Sequence, residues 1–253
     1  MVDVEGFIEN GYTVVRGAFD AATAARCRES IWEHLREQGL RDDDPACWPA
    51  HMQINSLDDE AFAAAACAPA LTAAYDELIG RGRWAPHIPA GRAVSVRFPS
   101  PEHANSGYHI EGSYGPAGAW RVNVRSRARG LLVLLLFGDV GPRDAPTRLV
   151  SGSHLHVPEF LAPHGEQGAP SDGCYWRPSV LCRPMVHATG RAGDAFLCHP
   201  FIVHTATWPH TGTGPRMIAQ PSVYVHDGFA VDGSDPSPVA QAIVSGLRMS
   251  SPG

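Results

Sequence analysis

Leu131-Leu-Val-Leu-Leu-Leu-Phe137, set between Gly130 and Gly138, is the longest apolar run in the chain. It is far too short to span a bilayer, and with turn residues at both ends it reads as a strand. Working outward from it, residues 93–98, 108–111, 147–150, 194–198 and 216–225 have the same texture of short strands between turn clusters. No glycine-rich fingerprint opens a βαβ unit, which excludes a dinucleotide-binding sheet. The pattern predicts a mainly β core, a double-stranded β-helix (a jelly-roll or cupin-like barrel), with flanking N-terminal α-helices.

Those helices come from the first ninety residues. After a short strand in Gly11-Tyr-Thr-Val-Val-Arg-Gly17, Asp20 caps a helix to about Gly39, with Ala25, Ile31, Trp32 and Leu35 on one face. A second helix starts after Ser56, with Asp58, Asp59 and Glu60 at its positive end, and runs through the alanine-rich stretch around Pro69 to Ile79. The expected organisation is one domain over 1–253: helical support over about 1–90, a jelly-roll core over about 91–225, and a tail or helix over 226–253.

Composition narrows the function. The 253 residues are 44% hydrophobic and 18% charged, with 26 Gly and 22 Pro, which describes a turn-rich globular chain. A net charge of −6 without a basic run gives no footprint for nucleic acid. There is no lysine, so Schiff-base, pyridoxal and P-loop chemistry are excluded. The six cysteines show no CxxC spacing and no apolar leader opens the chain, so the expectation is free thiols in a reducing cytoplasm, in a bacterium by composition. Neither a membrane nor a nucleic acid is expected as partner; a small-molecule substrate is, with the chain a monomer or homodimer.

Thirteen histidines offer several metal-ligand pairs. His109-Ile-Glu111 lies on an expected strand, where residues i and i+2 share a face, whereas His164-Gly-Glu166 lies in a Pro/Gly-rich loop. His204, at the end of the apolar segment from Gly193, supplies a third ligand. Two imidazoles and one carboxylate on one face match the site of non-haem Fe(II) oxygenases. Arg216, at the start of the next strand, then needs a carboxylate, which a dicarboxylic cosubstrate provides. A competing site is His154-Leu-His156 with Glu159 and His199, a cupin-like set one residue short in spacing and interrupted by Pro158. A third reading is a jelly-roll ligand-binding protein without catalysis.

The chain resembles the phytanoyl-CoA dioxygenase family of Fe(II)/2-oxoglutarate-dependent oxygenases over about residues 6–225. The resemblance rests on residues 11–19, the His109-x-Glu111 pair, Pro146-Thr-Arg-Leu-Val-Ser-Gly-Ser-His154, and the segment from Gly193-Asp194 through His204 to Pro215-Arg216. It implies that His109, Glu111 and His204 hold Fe(II), that Arg216 holds the far carboxylate of 2-oxoglutarate, and that Thr147 and Leu134 neighbour this cosubstrate. Glu111 stands where the family usually has Asp, and Ser151 where it usually has Pro. The implied reaction uses O2, converts 2-oxoglutarate to succinate and CO2, and hydroxylates, desaturates or cyclises a small metabolite or natural-product intermediate.

Candidates for the substrate pocket are Arg97, Tyr108, Tyr114, Trp120, Asn123, Arg125, Trp176, Trp208 and His210. Arg121, Arg125, Arg127 and Arg129 leave room for a cationic entrance but read first as a solvated edge.

Overall fold

The structure is a computed structural model, and it describes residues 2–102, 107–116, 119–171 and 178–249. Asp3 opens α1 (Val4–Asn10), its carboxylate accepting the Gly6 N–H at 2.8 Å, and Gly11 closes it at φ 82°. After β1 (Tyr12–Val15), Asp20 caps α2 (Ala21–Glu37) by accepting the Thr23 N–H at 2.6 Å. Its buried face is Thr23, Ala24, Cys27, Ile31 and Leu35, so Ala25, expected inward, faces solvent.

Following β2 (His51–Ile54), the alanine-rich stretch is two helices and not one: α3 (Glu60–Ala66) and α4 (Pro69–Leu78). Pro69 sits in the first turn of α4 and forces Ala68 to an extended ψ of 145°, which ends the preceding helix.

The remaining elements are β3 (Val94–Arg97), β4 (Arg121–Val122), β5 (Leu131–Leu136), β6 (Thr147–Val150), α5 (Pro158–Leu161), β7 (Ala169–Pro170), α6 (Pro178–Leu181), β8 (Met185–His187), β9 (Ala195–Cys198), β10 (His204–Ala206), β11 (Arg216–Ala219), β12 (Ser222–Val223) and α7 (Pro238–Met249). The large antiparallel sheet runs β1-β9-β5-β11-β3-β2, with β12 also paired to β5; a smaller sheet runs β10-β6-β8, and β4 pairs with β7. Among the described residues these sheets do not close into one continuous barrel.

Every residue of β5 is buried, and its alternation divides two cores. Leu131, Val133 and Leu135 join the larger core with Phe7, Ile31, Phe62 and Leu71 of the helices. Leu132, Leu134 and Leu136 point the other way, packing with Phe196 of β9, Ile218 of β11 and Leu149 of β6. The two sheets therefore face each other across an apolar layer with helices on the outer face, which is jelly-roll packing. No helix among the described residues is long and apolar enough to cross a membrane.

Candidate metal centre

His109 and Glu111 are not on a regular strand. Residues 108–111 make one isolated bridge, in which His109 and His204 exchange both backbone hydrogen bonds at 3.0 Å. A single bridge replaces the expected ladder, yet it does what a strand would: it sets His109 beside the first residue of β10. The imidazole centroids are 4.3 Å apart. Glu111 Oε1 lies 3.4 Å from His204 Nε2 and 3.7 Å from His109 Nε2, and one ligand atom from each residue falls within 4.8 Å of the others.

The protonation pattern suits a cation. His109 Nδ1 is 3.3 Å from the Gly107 carbonyl oxygen and His204 Nδ1 is 3.1 Å from that of Ile202. In the tautomer that directs each Nδ1 proton at its carbonyl, Nε2 of both rings is the atom open to a metal on the Glu111 side. His204 is buried, and its Nε2 has no hydrogen-bond partner among the described residues. Burial pushes the Glu111 carboxyl up, but the two imidazoles and the Arg129 guanidinium outweigh this and hold it well below the usual carboxylate range. A carboxylate that stays ionised and two imidazoles, one with an orphaned nitrogen, are a donor set that fits a divalent metal.

Beside this trio is a cavity of about 80 Å³ lined by Arg97, Thr147, Arg216 and Gln220 together with His109, Glu111 and His204. Arg216 of β11 and Arg97 of β3 are register partners. Arg216 donates from Nη2 to Ser95 Oγ at 3.2 Å and from Nη1 to Thr147 Oγ1 at 3.5 Å, and Arg97 donates to the Thr207 carbonyl at 3.1 Å. Their Nε atoms are unpartnered among the described residues. Burial lowers Arg97 to about 10, and burial with the Arg97 charge lowers Arg216 well below its ordinary value. Two adjacent buried cations with no carboxylate ion-paired to them among the described residues fit a dicarboxylate ligand.

A wider cleft of about 930 Å³ opens over His109 and Glu111, with Trp120 and Tyr224 among its walls. These two aromatics are 47% and 43% exposed, unlike the buried aromatics of the cores.

The other predicted site residues are dispersed. Leu134 packs in the apolar layer between the sheets. The Tyr108 hydroxyl meets Met185 Sδ and Arg148, and that of Tyr114 donates to the Glu166 carbonyl. Asn123 is buried and accepts from the Arg127 N–H. Trp208 lies under the Arg97 guanidinium at 4.6 Å, and His210 is buried, its Nδ1 accepting the Gly212 N–H. Arg125 pairs with Glu166, which draws the latter away from His164 as a ligand pair. Trp176 lies outside the described residues. His154 and His156 do not converge: His154 Nε2 meets the Ile8 carbonyl at 3.0 Å and His156 Nε2 meets Arg183 at 2.9 Å. Among the described residues, only His109, Glu111 and His204 form such a metal-ligand group.

Sequence reasoning missed three residues of the site. Ser95 and Gln220 carried no motif signal, and Arg129 was grouped with an exposed edge although only 9% of its surface is accessible. For Ser95, the alternation of β3, which puts it on the same face as Arg97, was the available clue.

In comparison with known proteins, the fold matches the epimerase SnoN, solved with Fe3+, alpha ketoglutarate and nogalamycin RO, at a TM-score of 0.56 and 20% identity over 88% of this chain and 81% of that one. The carbocyclase SnoK from nogalamycin biosynthesis matches at 0.55 and 18% over 88% and 82%. HygX from Streptomyces hygroscopicus, solved with nickel and 2-oxoglutarate, matches at 0.52 and 16% over 87% and 85%. No curated protein matches the chain in sequence. The model of the phytanoyl-CoA dioxygenase (PhyH) family matches residues 7–218, most of the chain. With the candidate metal trio and the buried Arg97–Arg216 pair inside that span, the chain belongs to the phytanoyl-CoA dioxygenase family of iron- and 2-oxoglutarate-dependent enzymes.

Proposed function

We propose that this enzyme, as a single domain over 1–253 acting as a monomer or homodimer in a bacterial cytoplasm, hydroxylates an unactivated C–H bond of a small metabolite or natural-product intermediate. The balanced reaction is R–H + O2 + 2-oxoglutarate → R–OH + succinate + CO2. The observation that carries it is the junction of the metal trio with a pocket lined by two buried guanidinium groups whose Nε atoms have no partner among the described residues.

The chemistry that bound iron supplies is oxidation of a C–H bond by dioxygen, coupled to decarboxylation of the keto acid. His109, Glu111 and His204 would hold the metal, each through one ligand atom. Arg216, backed by Ser95 and Thr147, receives the far carboxylate of 2-oxoglutarate and so fixes its direction. Thr147 lines the same pocket and, with Leu134 of the neighbouring apolar layer, is assigned to the surroundings of 2-oxoglutarate by family resemblance. Trp120 and Tyr224 supply flat apolar walls for a substrate, while Arg97, stacked on Trp208, lines the inner cavity. A ring-bearing substrate is supported by the cleft's size and by relatives solved with nogalamycin RO and hygromycin B.

An anaerobic titration of the metal-free protein with Fe(II) and 2-oxoglutarate tests this. The weak visible charge-transfer band of a chelated keto acid is expected in the parent and is lost in His204→Ala. Absence of the band in the parent replaces the oxygenase reading with that of a jelly-roll binding protein.

A further inference from the structure

The two oxygens of Glu111 face different partners. Oε1 looks at the imidazoles, 3.4 Å from His204 Nε2, while Oε2 is 3.9 Å from Arg129 Nη2. The same Nη2 donates to the Gly112 carbonyl at 2.7 Å, so one guanidinium spans the carboxylate and the peptide that follows it. Arg129 is largely buried, and its Nε has no partner among the described residues.

The segment that delivers it is held in an unfavourable conformation. Ser126 and Ala128 have positive φ values of 46° and 67°, although neither is glycine. Ser126 Oγ donates to the Arg129 carbonyl at 2.8 Å, and Asn123 Oδ1 accepts the Arg127 N–H at 3.1 Å, closing the turn. Backbone strain and a buried cation at the same place are both explained if the turn exists to aim Arg129 at Glu111.

Glutamate has one more rotatable bond than aspartate and sits here at the edge of the open cleft, its side chain 32% exposed. Unrestrained, it can present either oxygen, both, or neither. We propose that Arg129 is a positioning residue that holds Glu111 Oε2 and thereby fixes Oε1 as the single metal-facing oxygen, which lets the longer carboxylate serve as a ligand. This rests on His109, Glu111 and His204 being the metal ligands.

The test is Co(II) binding to the metal-free protein, followed by visible ligand-field absorption, in the parent, Arg129→Gln, Arg129→Lys, Glu111→Asp and the Arg129→Gln/Glu111→Asp double variant. Loss of a group that orients a ligand is expected to weaken Co(II) binding of Arg129→Gln by about 10- to 100-fold, with a smaller loss in Arg129→Lys. In the Glu111→Asp background, where the shorter carboxylate does not reach Arg129, the same replacement is expected to cost less than about threefold.

An Arg129→Gln protein with a parent-like circular dichroism spectrum and parent-like Co(II) affinity overturns the proposal. So does an equal loss in both backgrounds, which is the mark of a purely structural arginine. If Arg129→Gln does not fold, the Arg129→Lys pair in the two backgrounds decides by the same criterion. Failure of the parent itself to bind Co(II) overturns the metal-site reading, and this proposal with it; parent binding with an unaffected Arg129→Gln removes this proposal alone.

Discussion

Arg216 has 2% of its surface accessible, no carboxylate partner among the described residues, and the Arg97 side chain as its neighbour across the β11–β3 pair. A cation so placed destabilises the ligand-free protein, because desolvation is not offset by an ion pair. Arg216→Met is therefore expected to leave the ligand-free melting temperature unchanged or to raise it, by the equivalent of up to about 4 kcal/mol. The same variant is expected to lose at least about 2 kcal/mol of 2-oxoglutarate binding, roughly 30-fold in affinity. Thermal melting and calorimetric titration check the two halves; a less stable protein with parent-like affinity contradicts both. That His109, Glu111, His204 and Arg216 line one cavity was legible in the sequence, from their residue types, their spacing and the family resemblance. The depth of Arg129 and Arg97 was not, since burial of an arginine depends on the path of distant loops.

At the scale of elements, α1 and α7 are fastened to the jelly roll through two buried imidazoles. Gly11 ends α1 at φ 82°, and a Cβ there would lie 2.5 Å from His154 Nδ1. Gly11→Ala is expected to cost about 2 kcal/mol or more, from the left-handed backbone plus the contact, measured by urea unfolding. His154 Nε2 meets the Ile8 carbonyl of α1 and His199 Nε2 the Val239 carbonyl of α7, with the rings 4.8 Å apart. Burial lowers His154 to about 4 and, aided by the His154 ring, lowers His199 well below its ordinary value. The unfolded chain then binds protons more tightly than the folded one, so this stability is complete above about pH 6.5 and lost as pH falls from there toward 4. His109, whose value is raised despite its burial, works in the opposite direction. Replacing His154 with Gln is expected to flatten the acid limb of a stability-against-pH curve by up to about 1.4 kcal/mol per pH unit; an unchanged slope contradicts this. The same joint shows what sequence can and cannot foresee. The strand at β5 was legible from its composition and its glycine borders, whereas the break before Pro69 and the reduction of residues 108–111 to one bridge depend on competition between local patterns and the loops around them.

Across the whole molecule, the site joins the two sheets. His204 and Thr147 belong to the smaller sheet through β10 and β6, Arg216 and Arg97 to the larger through β11 and β3, and a ligand bound at both ends of the inner cavity ties them together. Metal and 2-oxoglutarate are therefore expected to stabilise the fold by more when present together than the sum of their separate effects. At a concentration 100 times its Kd, a ligand that binds only the folded state contributes about 2.7 kcal/mol. For a chain of 253 residues this corresponds to a rise of roughly 5–10 °C in melting temperature. Differential scanning calorimetry with Mn(II), 2-oxoglutarate and both, under anaerobic conditions, measures the cooperativity. Succinate separates the contributions: it offers Arg216 a carboxylate but lacks the keto acid, so its shift is expected to be small and much less dependent on Mn(II). Equal metal dependence for succinate and 2-oxoglutarate would place the keto acid away from His109, Glu111 and His204, and the bridge between the sheets would then rest on the carboxylate at Arg216 alone.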